Sequence, residues 1–286
     1  MTDVSDVSIR AHRNLPSDIS QAIIVARYDV HKHLRSKRLL GIVAIMILLV
    51  VLNMVIPPLL GEDYSDSPSE FAQGFTGFLP TLIIIIATLF AGDAIVSEFQ
   101  GRTGYLLFPN PVKRSTLYVG KLGAAIGLGI VLVELYYLIV FVLTYAVTGE
   151  TTVLLFWSML LALLYVAATI SVGFMISSIM KGSTGALILT FALLMLILPM
   201  VSGILSMTDV KPDFLVTFQG DSVGYMLDDP YPTDYTDTLD MGDGAGSMTL
   251  HYYYPEPWMA AGVMVVYTVV TALVGYMFFR KREMVS

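Results

Sequence analysis

Six stretches of this chain are long and apolar enough to cross a bilayer, and that count constrains the fold more than any motif does. Segments free of Asp, Glu, Lys and Arg run 39–61, 71–92, 151–180, 182–208 and 257–279, and a sixth, 122–149, is interrupted only by Glu134. A helix rises about 1.5 Å per residue, so about 20 apolar residues traverse a hydrocarbon core of about 30 Å. The spacing predicts helices near 39–60, 75–96, 117–146, 152–178, 184–206 and 257–279. Composition agrees: 56% of the 286 residues are hydrophobic and 14% charged, against roughly 25% charged in a soluble domain. The sequence reads as an all-α membrane protein. Its first apolar run starts too late and extends too far for a cleaved signal, so it is expected to stay as a helix. Cysteine is absent, which excludes disulfides, thiolate metal sites and cysteine nucleophiles.

Lys and Arg collect on the cytoplasmic side of membrane proteins. Seven lie between Arg10 and Arg38, before the first helix. Arg102, Lys113, Arg114 and Lys121 fall between helices two and three, Lys181 between four and five, and Arg280, Lys281 and Arg282 after helix six. With both termini inside, fifteen of the sixteen basic residues are cytoplasmic and only Lys211 is outside. The expected organisation is a tail over 1–16, an interfacial amphipathic helix over 17–38, and five helices within 39–206 enclosing a cytoplasmic loop at 97–115. An acidic outer loop at 207–256, helix six at 257–279 and a tail at 280–286 complete it. The chain is expected in the plasma membrane as a multi-pass protein in contact with lipid.

The stretch "SDISQAIIVARYDVHKHLRSKR" (Ser17–Arg38) carries Ser17 or Asp18 as a helix cap and an apolar stripe of Ile19, Ile23, Ala26 and Val30. Such a helix lies in the interface with its basic residues among headgroups. In the second loop, "SEFQGRTGYLLFPNPVKRS" (Ser97–Ser115), Gly101 ends helix two, Pro109 and Pro111 bar a continuous helix, and Ser115 caps helix three. Lys121 is close enough to the interface to snorkel. Between these boundaries "TGYLLF" suits a short surface helix or, equally, a structural turn.

Glu98, Gly101, Thr103, Leu106, Leu107, Pro111, Arg114 and Lys121, with the flanking "ARYDVHKHLRSKR" and "FFRKRE", resemble the permease subunits of the type 2 ABC exporter superfamily. Arg102, inserted between Gly101 and Thr103, departs from the usual adjacency. The resemblance implies a coupling helix between helices two and three, seated on an ATP-hydrolysing partner through Glu98, Gly101, Arg102, Thr103, Leu106, Leu107, Pro109, Pro111 and Arg114. It also implies a second permease subunit, identical or not, and ATP and Mg²⁺ held by the partner. The chain itself has no GxxxxGK[ST] phosphate cradle. It is expected to be no enzyme, to bind no cofactor or metal, and to take no nucleic acid.

Glu134 lies near the middle of helix three, where an acid costs at least ~2.5 kcal/mol. It lines a path, with Tyr137 beside it, or it is protonated and bonded to a nearby Tyr, Ser or Thr. Asp93, one turn above Glu98, is expected to pair with Lys or Arg. Gly123 and Gly127 form a GxxxG that suits close helix contact, within the subunit or with a second one. The segment 207–256 holds ten acids and one Lys. Asp234, Asp237, Asp240 and Asp243 recur every three residues, unlike the alternate ligands of a calcium loop. A solvated loop, weak cation capture or contact with an outer partner all fit. The resemblance implies that part of this segment, "DFLVTF" (Asp213–Phe218), folds back into the outer leaflet. "HYYYPEPW" (His251–Trp258) reads as an aromatic belt. The residues leave two other classes open: a membrane-embedded enzyme acting on lipid or peptide, with only Asp93 and Glu98 as an acid pair, and an ion-driven secondary transporter.

Overall fold

The structure is a computed structural model that describes residues 17–100, 113–240 and 247–282. Six segments are long and apolar enough to span a membrane, in the order expected. Helix α1 (Asp18–Leu34) precedes the first span, α2 (Lys37–Leu59). The second span, 68–100, is three helices end to end: α3 (Pro68–Thr76), α4 (Leu79–Ala91) and α5 (Val96–Gln100). Helices α6 (Arg114–Thr148) and α7 (Val153–Ile179) are single rods. The fifth span, 183–205, joins α8 (Ser183–Ala192) to α9 (Leu198–Leu205) through a π turn at Leu193–Ile197. Two short helices, α10 (Val216–Gly220) and α11 (Ser222–Tyr225), and a hairpin of β1 (Tyr235–Asp240) with β2 (Ser247–Tyr252) precede the sixth span, α12 (Pro257–Lys281).

Local chemistry accounts for the boundaries. Ser17 caps α1, its hydroxyl accepting from the Ser20 N–H, and Ser36 does the same for α2 through Leu39. Helix α6 ends on Gly149 at φ 77°, a left-handed stop open to glycine. It starts at Arg114, ahead of the expected cap at Ser115. The π turn sits just before Pro199, whose ring would collide with a carbonyl one turn back in a regular helix.

The second span begins seven residues earlier than the sequence suggested, because Pro68 opens a helix that apolar counting does not see. Its break between Ala91 and Val96 frees backbone donors inside the bundle. Ser177 of α7 resolves this, its hydroxyl accepting from the N–H groups of Ile95 and Val96 at 2.9 and 3.1 Å.

The core lies where α4, α6 and α7 meet, around Phe90, Tyr118, Tyr136, Tyr165 and Phe174. Lipid tails are as apolar as side chains, so helices here gain from close fit rather than from escape from water. Small residues supply that fit, though not where expected. A Cβ on Gly129 would lie 2.8 Å from Val166 and 2.9 Å from Ile170, and one on Gly120 2.7 Å from the Ala22 carbonyl of α1. Gly123 and Gly127 face open space instead, so their GxxxG meets no other helix among the described residues.

Helix α1 has two faces. Ile19 and Ile23 are exposed, while Ala22, Val25, Asp29 and His33 turn toward α6 and the second span. In the 207–256 segment the structure forms a hairpin that the sequence did not suggest, pairing Tyr235 with Tyr252 as stacked rings 4.6 Å apart. The His251 N–H bonds the Ser206 carbonyl at the end of α9.

Candidate functional site: a buried ion network at the basic end

Most charged side chains of the bundle meet at one end, where α1, the end of α5 and the start of α6 converge. Lys121, one-tenth exposed in its side chain, is central: its Nζ lies 3.0 Å from Asp29 Oδ1 and 2.9 Å from Glu98 Oε1. Lys32 reaches Glu98 from α1 at 3.4 Å, and His33 Nε2 lies 3.6 Å from Asp29 Oδ2, its ring 4.9 Å from Phe90. Lys121 therefore does not snorkel; it is buried between two carboxylates from different elements. Removing its charge would take the nearest cation from both acids, and weakening the pairing of a buried charge costs stability.

A second cluster adjoins the first. The Arg38 guanidinium at the start of α2 holds Asp93 through two parallel bonds of 2.8 and 2.7 Å and donates to the Leu89 carbonyl at 3.0 Å. Ser183, opening α8, donates to Asp93 Oδ2 at 2.9 Å, and its own N–H donates to Gln100 Oε1 at 2.9 Å. Bidentate Arg–carboxylate geometry fixes direction as well as distance. A cavity of about 280 Å³ between the clusters is lined by Asp29, Lys32, His33, Arg38, Asp93 and Ser97 among others.

Electrostatics favours the ionised arrangement at α1. Burial pushes the Asp29 carboxyl up, but bonds and attraction from His33 and Lys121 outweigh it and hold it down at about 2.

Of the residues singled out in the sequence, Glu98 and Asp93 lie in these two clusters. Arg114 lies at the same end and donates to the carbonyls of Arg280 and Arg282 at 2.8 and 3.0 Å. Arg282 in turn stacks its guanidinium 4.3 Å over the Phe99 ring. Lys113 pairs with Asp18 of α1 at 2.6 Å. The two chain segments bracketing 101–112 are thus tied to α1, α8 and the end of α12. Gly101, Arg102, Thr103, Leu106, Leu107, Pro109 and Pro111, and the expected surface helix with them, lie outside the described residues.

Glu134 and Tyr137 separate. Tyr137 is buried and donates to the Ser158 hydroxyl at 2.7 Å, which donates onward to the Val223 carbonyl at 2.6 Å, a packing role. Glu134 is exposed on the outer face of α6 between Val131 and Leu138, and makes no hydrogen bond or ion pair among the described residues. The expected bond to a nearby Tyr, Ser or Thr is not formed. Its helix turns it away from them.

Asp29 and His33 were missed by sequence reading. The signal was present: Ala22, Val25, Asp29 and His33 recur at three and four residues, a stripe of small and polar side chains beside the more obvious isoleucines.

The family model for the ABC-2 family transporter protein matches residues 23–284, from the middle of α1 past the end of the sixth span. Among curated proteins none matches the sequence. The match covers the six spans and the network at their basic end, and the chain belongs to the ABC-2 transporter family as a multi-pass membrane permease subunit.

Proposed function

We propose that the chain is the permease of an ABC exporter, working as a dimer with two separate ATPase subunits that carry ATP and Mg²⁺. The basic end faces the cytoplasm, following the distribution of Lys and Arg. The segment 101–112 docks on the ATPase, and the ion network passes its displacement into the bundle. One observation supports this reading above the rest. Lys121 ties Glu98, three residues before that segment, to Asp29 of α1, so α1, the second span and the third span are joined beside it. A pull on the segment then reaches three elements together, which a two-state transporter driven from outside the membrane requires.

Glu134 belongs to a face that protein or water covers in the working assembly, because an acid at this depth is not left in lipid. Contact with a second membrane subunit along α6 fits its position beside the open Gly123 and Gly127.

Deleting 99–114 is expected to leave membrane insertion intact and abolish co-purification with the ATPase subunit. Recovery of the ATPase at full yield would overturn the docking claim. A cysteine at Thr103 is expected to resist impermeant reagents applied to intact cells and to react once the membrane is opened. Labelling from outside would reverse the orientation.

A further inference from the structure

The segment between the fifth and sixth spans does not stay at the surface. Tyr165 lies twelve residues into α7, about 18 Å from the helix end at Val153. A Cβ on Gly220 would lie 2.5 Å from the Tyr165 ring, so only glycine lets α10 come this close. Ser158 of α7 donates to the Val223 carbonyl at 2.6 Å, and Tyr267 of α12, ten residues from Pro257, donates to the Phe214 carbonyl at 2.9 Å. Side chains about 8 to 18 Å down the helices therefore hold this segment. Within a hydrocarbon core of about 30 Å, that depth falls in the half of the membrane away from the ion network.

Irregular backbone survives at membrane depth only where protein buries it or water lines it. Leu215 to Gly220, Ser222 and Val223 are all buried, but Asp221 among them is exposed. No hydrogen bond or ion pair reaches its carboxylate among the described residues. The only Lys or Arg between residues 182 and 279, Lys211, is taken by Asp234 at 2.8 Å. Three oxygens of this segment and of α7 are buried without a hydrogen-bond partner among the described residues: Tyr165 Oη, Thr217 Oγ1 and Gln219 Oε1. All can accept a hydrogen bond or a cation. An acid this deep and without a partner is not left in lipid, so it faces water, protein or a passing charge.

We propose that Asp221 lines the outer half of the translocation path and makes that path favour cations, so that the cargo carries a positive group such as a protonated amine. This rests on the permease reading given above. The Asp221 carboxylate attracts the cation as it passes. The segment 207–256 carries nine further acids, which make the outer side of the chain negative.

The chain has no cysteine, so a single introduced thiol reports alone. Gly224 lies one turn from Asp221, is half-buried, and has room for a side chain. In membranes, Gly224→Cys is reacted with a cationic trimethylammonium-ethyl and with an anionic sulfonato-ethyl methanethiosulfonate, each rate normalised to a free thiol. The cationic reagent is expected to be favoured about tenfold, with the preference lost in Asp221→Asn/Gly224→Cys. Equal normalised rates, no reaction with either reagent, or a preference that persists in the Asn background would each overturn the proposal. The rates need neither ATP nor a partner, so failure here is distinct from failure of ATPase docking.

Discussion

At the scale of single residues, Lys121 carries the most weight. Lys121→Met leaves the buried Asp29 with His33 and the half-buried Glu98 with Lys32, and the expected loss is about 3 kcal/mol of stability, read as a lowered melting temperature in detergent. Adding Asp29→Leu removes one buried charge, and about half of that loss should return. Asp29 also sets a pH limit. Its folded value, about 2, is below the ordinary 3.8, so its contribution is complete above about pH 4 and disappears as pH falls toward 2. A spin label on Ile19→Cys should keep the mobility of a docked α1 from pH 8 to 5 and become mobile between 4 and 2. With Asp29→Asn, α1 should be mobile throughout. The sequence pointed to Glu98, Asp93 and Lys121, because charge next to an apolar run is conspicuous. It did not single out Asp29, which sits among Arg27, His31, Lys32 and Arg35 and passes for one acid in a solvated basic helix. Only the fold shows that this acid faces inward.

At the scale of elements, close approach separates glycines that the sequence treats alike. Gly120→Ala drives a methyl into the Ala22 carbonyl and Val25, and α1 must shift; the expected cost is about 1–3 kcal/mol. Gly123→Ala meets nothing and should change the isolated subunit by less than about 0.5 kcal/mol. Cross-linking yield between cysteines on α1 and α6 would distinguish them: lowered for the first, unchanged for the second. The positions of the spans were legible because apolar length is set by membrane thickness. Breaks inside them were not. The gap at 92–95 depends on Ser177, eighty residues away, to accept its free donors, and no local pattern announces such a partner. The stripe on α1 was read from its isoleucines, and the smaller, polar stripe that meets the neighbouring helix was not.

At the scale of the whole molecule, the hairpin is peripheral to the bundle. Its strands pair with each other, and the His251–Ser206 bond fastens it to α9. Replacing 236–251 with a short Gly-Ser linker should leave insertion and the melting temperature of the bundle nearly unchanged, as measured by protease protection and thermal unfolding. Removal of 214–226 should instead collapse the far half of the bundle, because Tyr165, Ser158 and Tyr267 lose their partners. Composition alone described both regions as one acidic loop. The depth of the first was suggested only by the family resemblance, because "LVTFQG" is too short to register as a membrane segment, and the hairpin was hidden because its strands alternate around aspartates rather than around apolar residues.

Helix α7 grips the break in the second span with Ser177 and the inserted segment with Ser158, two hydroxyls on one rod about 28 Å apart. A rod held near both of its ends passes a tilt from one to the other. Whatever displaces it at the basic end must also move the inserted segment, so the two halves of the bundle answer to a single length of backbone.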